Sequence, residues 1–413
     1  MFYKETNFRE TEAARCPADW DIVRLGDVCG QRKGIVIPSG NGRRFVGLEH
    51  VEPGETRLTR YTLDTEVRSS KLEFHVRDIL YGKLRPYLDK AVIADFDGIC
   101  STDFIVLSAN EQELVTDFLL YLLHSPRLTS HAISTTTGTN HPRTSWSALG
   151  NFRFGLPPIA EQRGVAQVLS TVDEAIQKTN EVITKTERLK RGLTQELLTK
   201  GIGHKEFKTT EVGEIPKEWD VITVGDVTTE HKQGFYTNQS YSSDGVRLVR
   251  ITDLFNPRIS YETMPFLNLD GHTVEQFGVS KGDFLIARSG AIGRFGIATE
   301  NIPCVFGSYI IRFRFDQDRL SNDFFGWLFQ SNFVLPQLLR LKHGATNINI
   351  NAENLKSIKI PLPKPAEQAL LVLVLSTLAR KLELDELDKL RLERTKAGLM
   401  DLLLTGKVRV KAN

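Results

Sequence analysis

The sequence predicts an α+β chain: two mixed α/β globular segments separated by two long antiparallel helices that form a coiled-coil spacer, the whole built as an internal pseudo-twofold repeat. Three observations predict it. The chain describes itself twice, each copy closes on a long amphipathic stretch, and only residues 201–215 join the first stretch to the second copy.

The repeat comes first, because self-similarity at a long period outranks any local motif. PADWDIVRLGDV (residues 17–28) returns as PKEWDVITVGDV (residues 216–227), an offset of 199. LPPIAEQ (residues 156–162) returns as LPKPAEQ (residues 362–368) at an offset of 206, which then holds without a gap to Leu197-Leu198-Thr199 and Leu403-Leu404-Thr405. Between these shared frames the middles diverge: LYGKLRPYLDK (residues 80–90) stands where the second copy has LIARSGAIGRFG (residues 285–296).

The long stretches are helical by period. Val165, Leu169, Val172, Ile176, Ile183, Leu189, Leu193 and Leu197 recur mostly at three- and four-residue intervals, an apolar stripe on one helix face. Prolines before the first turn, Glu161 within it, and Lys200 and Gly201 at the end mark its limits. The second copy repeats the columns at Leu371, Leu375, Leu378, Leu382, Leu399 and Leu403, with Asp385 and Lys389 making the middle polar. A bare stripe of this length aggregates unless covered, so the two helices are expected to pair through Val165, Leu169, Val172, Ile176, Leu193 and Leu197 against the six leucines of the second. The short link places the end of one helix near the start of the other, so the pair is antiparallel.

The expected divisions are a first globular domain at 1–157, a first helix at 158–201, a linker at 202–215, a second globular domain at 216–363, a second helix at 364–406 and a tail at 407–413. The globular segments carry short β-rich runs at 91–94, 104–107 and 309–315, and helical pieces at 114–123 and 323–341. The longest apolar run, ALLVLVLSTLA (residues 369–379), has about half the length that spans a bilayer, and no membrane association is expected.

With 40% hydrophobic and 25% charged residues the composition is that of an ordinary globular protein, which excludes disordered and fibrous classes. A net charge of +2 is modest for a stand-alone nucleic-acid binder, so any such contact is confined to local basic loops or shared with partner subunits. Cys16, Cys29, Cys100 and Cys304 lie far apart with no CxxC pair, which argues against a metal site and a secreted disulfide framework, and for a reducing cytoplasm. The first twenty residues mix charges throughout and lack the apolar core of a signal peptide.

Duplicated Trp-Asp…Gly-Asp-Val starts, duplicated Leu-Pro-x-x-Ala-Glu-Gln helix openings, helices ending in Leu-Leu-Thr, and divergent middles together resemble Type I restriction-modification specificity subunits over nearly the whole length. Some members carry a tetrapeptide repeat within the first helix, and none is present here. The resemblance implies that each globular segment is a target recognition domain, that the partner is double-stranded DNA with a bipartite target, and that two methyltransferase subunits dock on the helices and restriction subunits join them. A fused restriction or modification enzyme, or a coiled-coil adaptor without a DNA role, is the alternative.

Base reading requires Arg for guanine and Asn or Gln for adenine, with basic and hydroxyl groups on phosphates. In the first segment the candidates are Arg43, Arg44, Lys83, Arg85, Tyr87, Thr139, Asn140, His141 and Arg143. In the second they are Arg288, Ser289, Arg294, Lys342, His343, Thr346, Asn347 and Asn349. His141 and His343 have no second ligand at metal spacing, and Trp20 and Trp219 are expected as core anchors. No GxxxxGK[ST] loop, dinucleotide fingerprint or Asn/Asp-Pro-Pro-aromatic motif is present, so no catalytic residue and no cofactor are expected, and chemistry must come from partners.

Overall fold

In the computed structural model, residues 2–10, 15–37, 40–64, 69–291, 293–340 and 350–411 are described. They form two compact units, one of Met1–Glu181 with Leu387–Asn413 and one of Val182–Glu386. The division does not follow the sequence repeat: each unit takes one globular segment, the opening of the helix that follows it, and the closing part of the other long helix.

The first unit is built on a four-stranded antiparallel sheet in the order Ala91–Ile93, Ile79–Gly82, Phe104–Ala109, Cys29–Gln31. Its central strands are buried on both faces. Ile79, Tyr81, Ile105 and Leu107 face a core with helices Thr116–Leu123 and Pro126–Ser134, whereas Leu80, Val92 and Val106 face a second core with Val46, Phe74 and Cys100. Alternation along a strand sends neighbours to opposite faces, so strands sandwiched this way read as continuous apolar runs. A five-stranded sheet covers that second core and contains one parallel pair, Arg44–Val46 beside Gly98–Cys100.

The second unit repeats the plan. Its four strands run in the order Thr228–Gln233, Ile310–Phe315, Phe284–Ala287, Phe295–Ile297, and its smaller sheet again has one parallel pair, Val246–Val249 beside Cys304–Phe306. Phe284 and Ile286 enter one core while Leu285 and Ala287 enter the other. The helical piece expected at 323–341 is in fact two helices, Asn322–Phe329 and Leu335–Arg340. Ser331 breaks it, because its hydroxyl donates to Leu328 O at 2.6 Å and accepts from the Phe333 amide, and Pro336 suits the first turn of a fresh helix.

The long helices span Ile159–Lys200 and Pro365–Leu404. In the first unit Val165 and Leu169 share a core with Met400, Leu403 and Leu404, while Asp173 pairs with Lys396 at 2.6 Å, so the two segments run antiparallel there. In the second unit Leu371 and Leu375 share a core with Leu198, and Leu197 packs at its margin. Leu399 lies at the margin of the first core; Val172, Ile176, Leu193, Leu378 and Leu382 are half-buried and belong to no core cluster. Among the described residues no helix is long and apolar enough to cross a membrane.

The duplicated Ala-Glu-Gln motif has the same task in both units. Gln162 is fully buried and fastens the loop before helix Thr116–Leu123, donating to Glu113 O and Pro157 O (both 2.9 Å) and accepting from the Val115 amide. Gln368 does likewise with Arg319 O, Pro363 O and the Ser321 amide. The glutamate before it holds a tryptophan: Trp20 Nε1 donates to Glu161 at 3.2 Å and Trp219 Nε1 to Glu367 at 2.9 Å. Into each socket comes a residue three beyond a left-handed glycine that ends a long helix. After Gly406 (φ +69°) it is Arg409, bidentate to Glu161 and to Asp19 and bonded to Glu5; after Gly201 (φ +64°) it is His204, 2.9 Å from Glu367. Residues 407–413, expected as a tail, include the strand Val408–Val410 paired with Phe2–Lys4.

Asp385, in the polar middle of the second helix, is 93% buried, and its Oδ2 has no partner among the described residues although Oδ1 bonds Lys381. An unsatisfied buried carboxylate oxygen is costly, and Lys381 stays in water without it. Asp385→Leu is therefore expected to stabilise the second unit by about 1 kcal/mol, seen as a higher thermal midpoint; an unchanged or lower midpoint would show that the carboxylate is satisfied in solution.

Candidate nucleic-acid interface

The candidate residues of the first unit fall into two groups. Strand Ile79–Gly82 ends at Lys83, whose amide donates to Asp103 O and whose carbonyl accepts from the Thr144 amide at 3.0 Å. The Arg85 amide donates to Pro142 O at 2.8 Å, and Leu84 bridges Arg143. Two segments some fifty residues apart, 83–89 and 137–144, thus lie side by side at one end of the sheet. Arg85 itself has φ +54°, uncommon for a residue with a Cβ, and opens the short 3-10 turn Pro86–Leu88. Tyr87 projects from that turn, and Thr139, Asn140 and His141 are exposed beside it. Arg143 is steadied by Asp103, with Nε 3.0 Å from Oδ1.

Arg43 and Arg44 do not join this group. They open strand Arg44–Val46, while the Val46 carbonyl at its other end accepts from Ser101 on the way to Asp103 and Lys83. Arg43 is held by Glu73 at 2.6 Å, and the Arg44 guanidinium lies between the rings of Tyr61 and Phe96, 5.0 and 4.7 Å from their centroids.

In the second unit the same frame recurs. The Arg288 amide donates to Tyr309 O and its carbonyl accepts from the Ile350 amide at 2.8 Å, matching Lys83 with Asp103 and Thr144. Ser289 and Arg294 flank the turn that follows, closed by Ala291 N to Ser289 O (2.8 Å) and Arg294 N to Ala291 O (3.1 Å). Lys342, His343, Thr346, Asn347 and Asn349 lie outside the described residues.

The first group presents basic side chains, hydroxyls and amides from paired loops on a rigid sheet, the equipment for contacting phosphates and base edges. All four cysteines are buried, burial pushes the thiols of Cys29 and Cys304 up to about 12, and no group of three potential ligands could hold a metal ion among the described residues. The sequence offered candidate residues in both segments but not their pairing, and it did not offer the Glu161 and Glu367 sockets, because a first-turn glutamate reads equally well as a partner of the helix dipole.

Residues 17–188 and 216–394 each match the family model described as the Type I restriction modification DNA specificity domain. The chain is 28% identical to the Type I restriction enzyme MjaVIII specificity subunit of Methanocaldococcus jannaschii, covering 100% of this chain and 98% of that protein. It is 27% identical to the EcoDI specificity subunit of Escherichia coli over 51% of this chain and 46% of that one. Among solved structures it resembles the Type-I restriction-modification system S subunit from M. genitalium, with a TM-score of 0.59 at 15% identity over 94% of this chain and 96% of that one, a likeness of fold.

Proposed function

The chain belongs to the Type I restriction modification DNA specificity family, and from that premise we propose that it reads a bipartite duplex target, one half-site with each globular segment, while two methyltransferase subunits dock along its long helices and restriction subunits join that core. It supplies DNA sequence specificity and has no catalytic role of its own. The long helices are the proposed spacer between pseudo-twofold-related readers, and the cytoplasm the proposed site of action.

One observation carries the reading: a single hydrogen-bonded frame, built twice, bears different side chains each time. Lys83 and Arg288 sit in matching backbone bonds, yet their loops share almost no sequence. A fixed frame with interchangeable contents is what two readers of unlike half-sites require, because phosphate contacts hold register while side chains at base edges select sequence. In the first unit the contacts are assigned to Lys83, Arg85, Tyr87, Thr139, Asn140, His141 and Arg143, and in the second to Arg288, Ser289 and Arg294.

Exchanging residues 17–156 for the equivalent segment of another family member is expected to change one half of the recognised sequence and leave the other intact. Methylation-aware sequencing of DNA treated with the reconstituted complex reads both halves at once. A change in both halves together would sink the two-reader model.

A further inference from the structure

Strand Thr228–Gln233 is twice as long as its counterpart Cys29–Gln31. In the first unit Gln31 pairs with Leu107 and the chain leaves the sheet after Arg32, whose amide donates to Val106 O at 2.9 Å. In the second, His231 holds the matching place opposite Phe313, but the strand continues through Lys232 and Gln233, and the Gly234 amide donates to Ile310 O at 3.0 Å. The added residues carry the chain to the end of the sheet where Arg288 meets Tyr309. There Phe235 bridges Gly307, and a Cβ on Gly234 would stand 2.1 Å from the Gly307 oxygen, so glycine alone allows the two backbones to approach this closely. The far end of the loop is fixed by the Ser242 amide, 2.9 Å from Phe266 O.

Between these anchors the chain reads Tyr236-Thr237-Asn238-Gln239-Ser240-Tyr241. Thr237 Oγ1 accepts from the Gln239 amide at 3.1 Å and shapes the tip. Asn238 and Gln239 are exposed, and among the described residues neither side-chain amide has a partner. Tyr236 is 72% exposed, and Tyr309, at the adjoining turn, 59%. A firmly rooted loop gains nothing for its own fold from bare carboxamides and tyrosines at its tip. A carboxamide offers a donor and an acceptor side by side, the complement of adenine N6 and N7 in the major groove, and a phenol suits a phosphate oxygen.

We infer that the loop at 235–242 is a second reading element of this unit, with Asn238 and Gln239 specifying adenine·thymine in its half-site and Tyr236 and Tyr309 gripping the adjoining phosphates. The inference rests on the DNA-reading function proposed above. The segment that follows the matching strand in the first unit instead forms the strand Ile35–Val36, paired with Lys71 and Leu72, and exposes Ile35 and Ile37, so the two half-sites are met with unlike chemistry.

The test uses the chain assembled with its methyltransferase subunits and a plasmid library in which both half-sites are randomised. The Asn238→Ala/Gln239→Ala variant is expected to lose discrimination for adenine at one or two adjacent positions of one half-site, by roughly 5- to 150-fold, with the other half-site unchanged. Gln239→Glu, which can only accept, shifts preference at its position towards cytosine. Tyr236→Phe lowers methylation of all sites about equally and leaves the motif alone. Thermal unfolding matching the unmodified chain confirms that the variants are folded. A folded double variant, or Gln239→Glu, that keeps the original motif at every position overturns the inference. If the unmodified complex shows no preferred sequence, the DNA-reading function fails, and this inference with it.

Discussion

Arg409→Met is expected to destabilise the first unit by about 3–5 kcal/mol, the cost of breaking a buried ion pair from one side. The guanidinium is 95% buried, makes bidentate contacts with both Glu161 and Asp19 at 2.7–2.9 Å, reaches Glu5 at 2.8 Å and lies over the Trp20 ring. Removing it leaves Glu161, which is buried, without a counter-ion and beside two like charges. Amide hydrogen exchange should locate the loss in the first unit, with strands Phe2–Lys4 and Val408–Val410 opening first. Glu161→Gln in the same background should recover part of the loss by removing one stranded charge. The cost also depends on pH in a fixed direction. Hydrogen bonds from Arg409 hold the Asp19 carboxyl below its usual range. A carboxylate with a depressed pKa contributes stability above its unfolded value, about 4, and loses it as pH falls through the folded value. The gap between wild type and variant should therefore narrow below about pH 4. A cost under about 1 kcal/mol at neutral pH would mean that the cluster is not a structural anchor.

Phe284→Ala is expected to cost the second unit about 3–5 kcal/mol through lost burial and the cavity left behind. Phe284 is fully buried, stacks on Phe295 with centroids 4.9 Å apart, and touches Phe315, Phe325 and Phe329 edge-on or tilted at 5.1–6.2 Å. A ring at the hub of four others leaves a hole that none can fill without losing its own contacts. Its strand leads directly into Arg288, so loosening it should also blur the half-site read by this unit while the other half-site stays sharp. Denaturant titration measures the first effect and methylation of a randomised library the second; equal damage to both half-sites would contradict the assignment of one reader to each unit.

The repeat and the long helices were legible because both rest on simple periods. The frame of 17–28 and 216–227 is visible as identity, and the stripe from Val165 to Leu169 and from Leu371 to Leu375 as spacing. Legibility ended where a side chain serves two masters. The stripe assigns Leu197, but Leu198 is the more buried, because at that point Ile215 and Trp219 of the globular core compete with the opposing helix for the apolar face. Arg43 and Arg44 look like any exposed basic pair, and only the fold reveals Glu73 and the two rings that occupy them. The break at Ser331 was hidden by apolar neighbours on both sides, since local hydroxyl bonds leave no mark on hydrophobic period.

The way the units cut across the repeat bears on how such a chain could arise. A polypeptide ending after Lys205 would lack Met400, Leu403 and Leu404 from its core and would present the Glu161 socket empty. It would nonetheless carry its own Leu197-Leu198-Thr199-Lys200-Gly201, the segment that resembles the missing one. Two such molecules fill each other's gaps by trading ends. Joining two such repeats in one polypeptide would make that exchange permanent and would leave the two middles free to differ within a common frame.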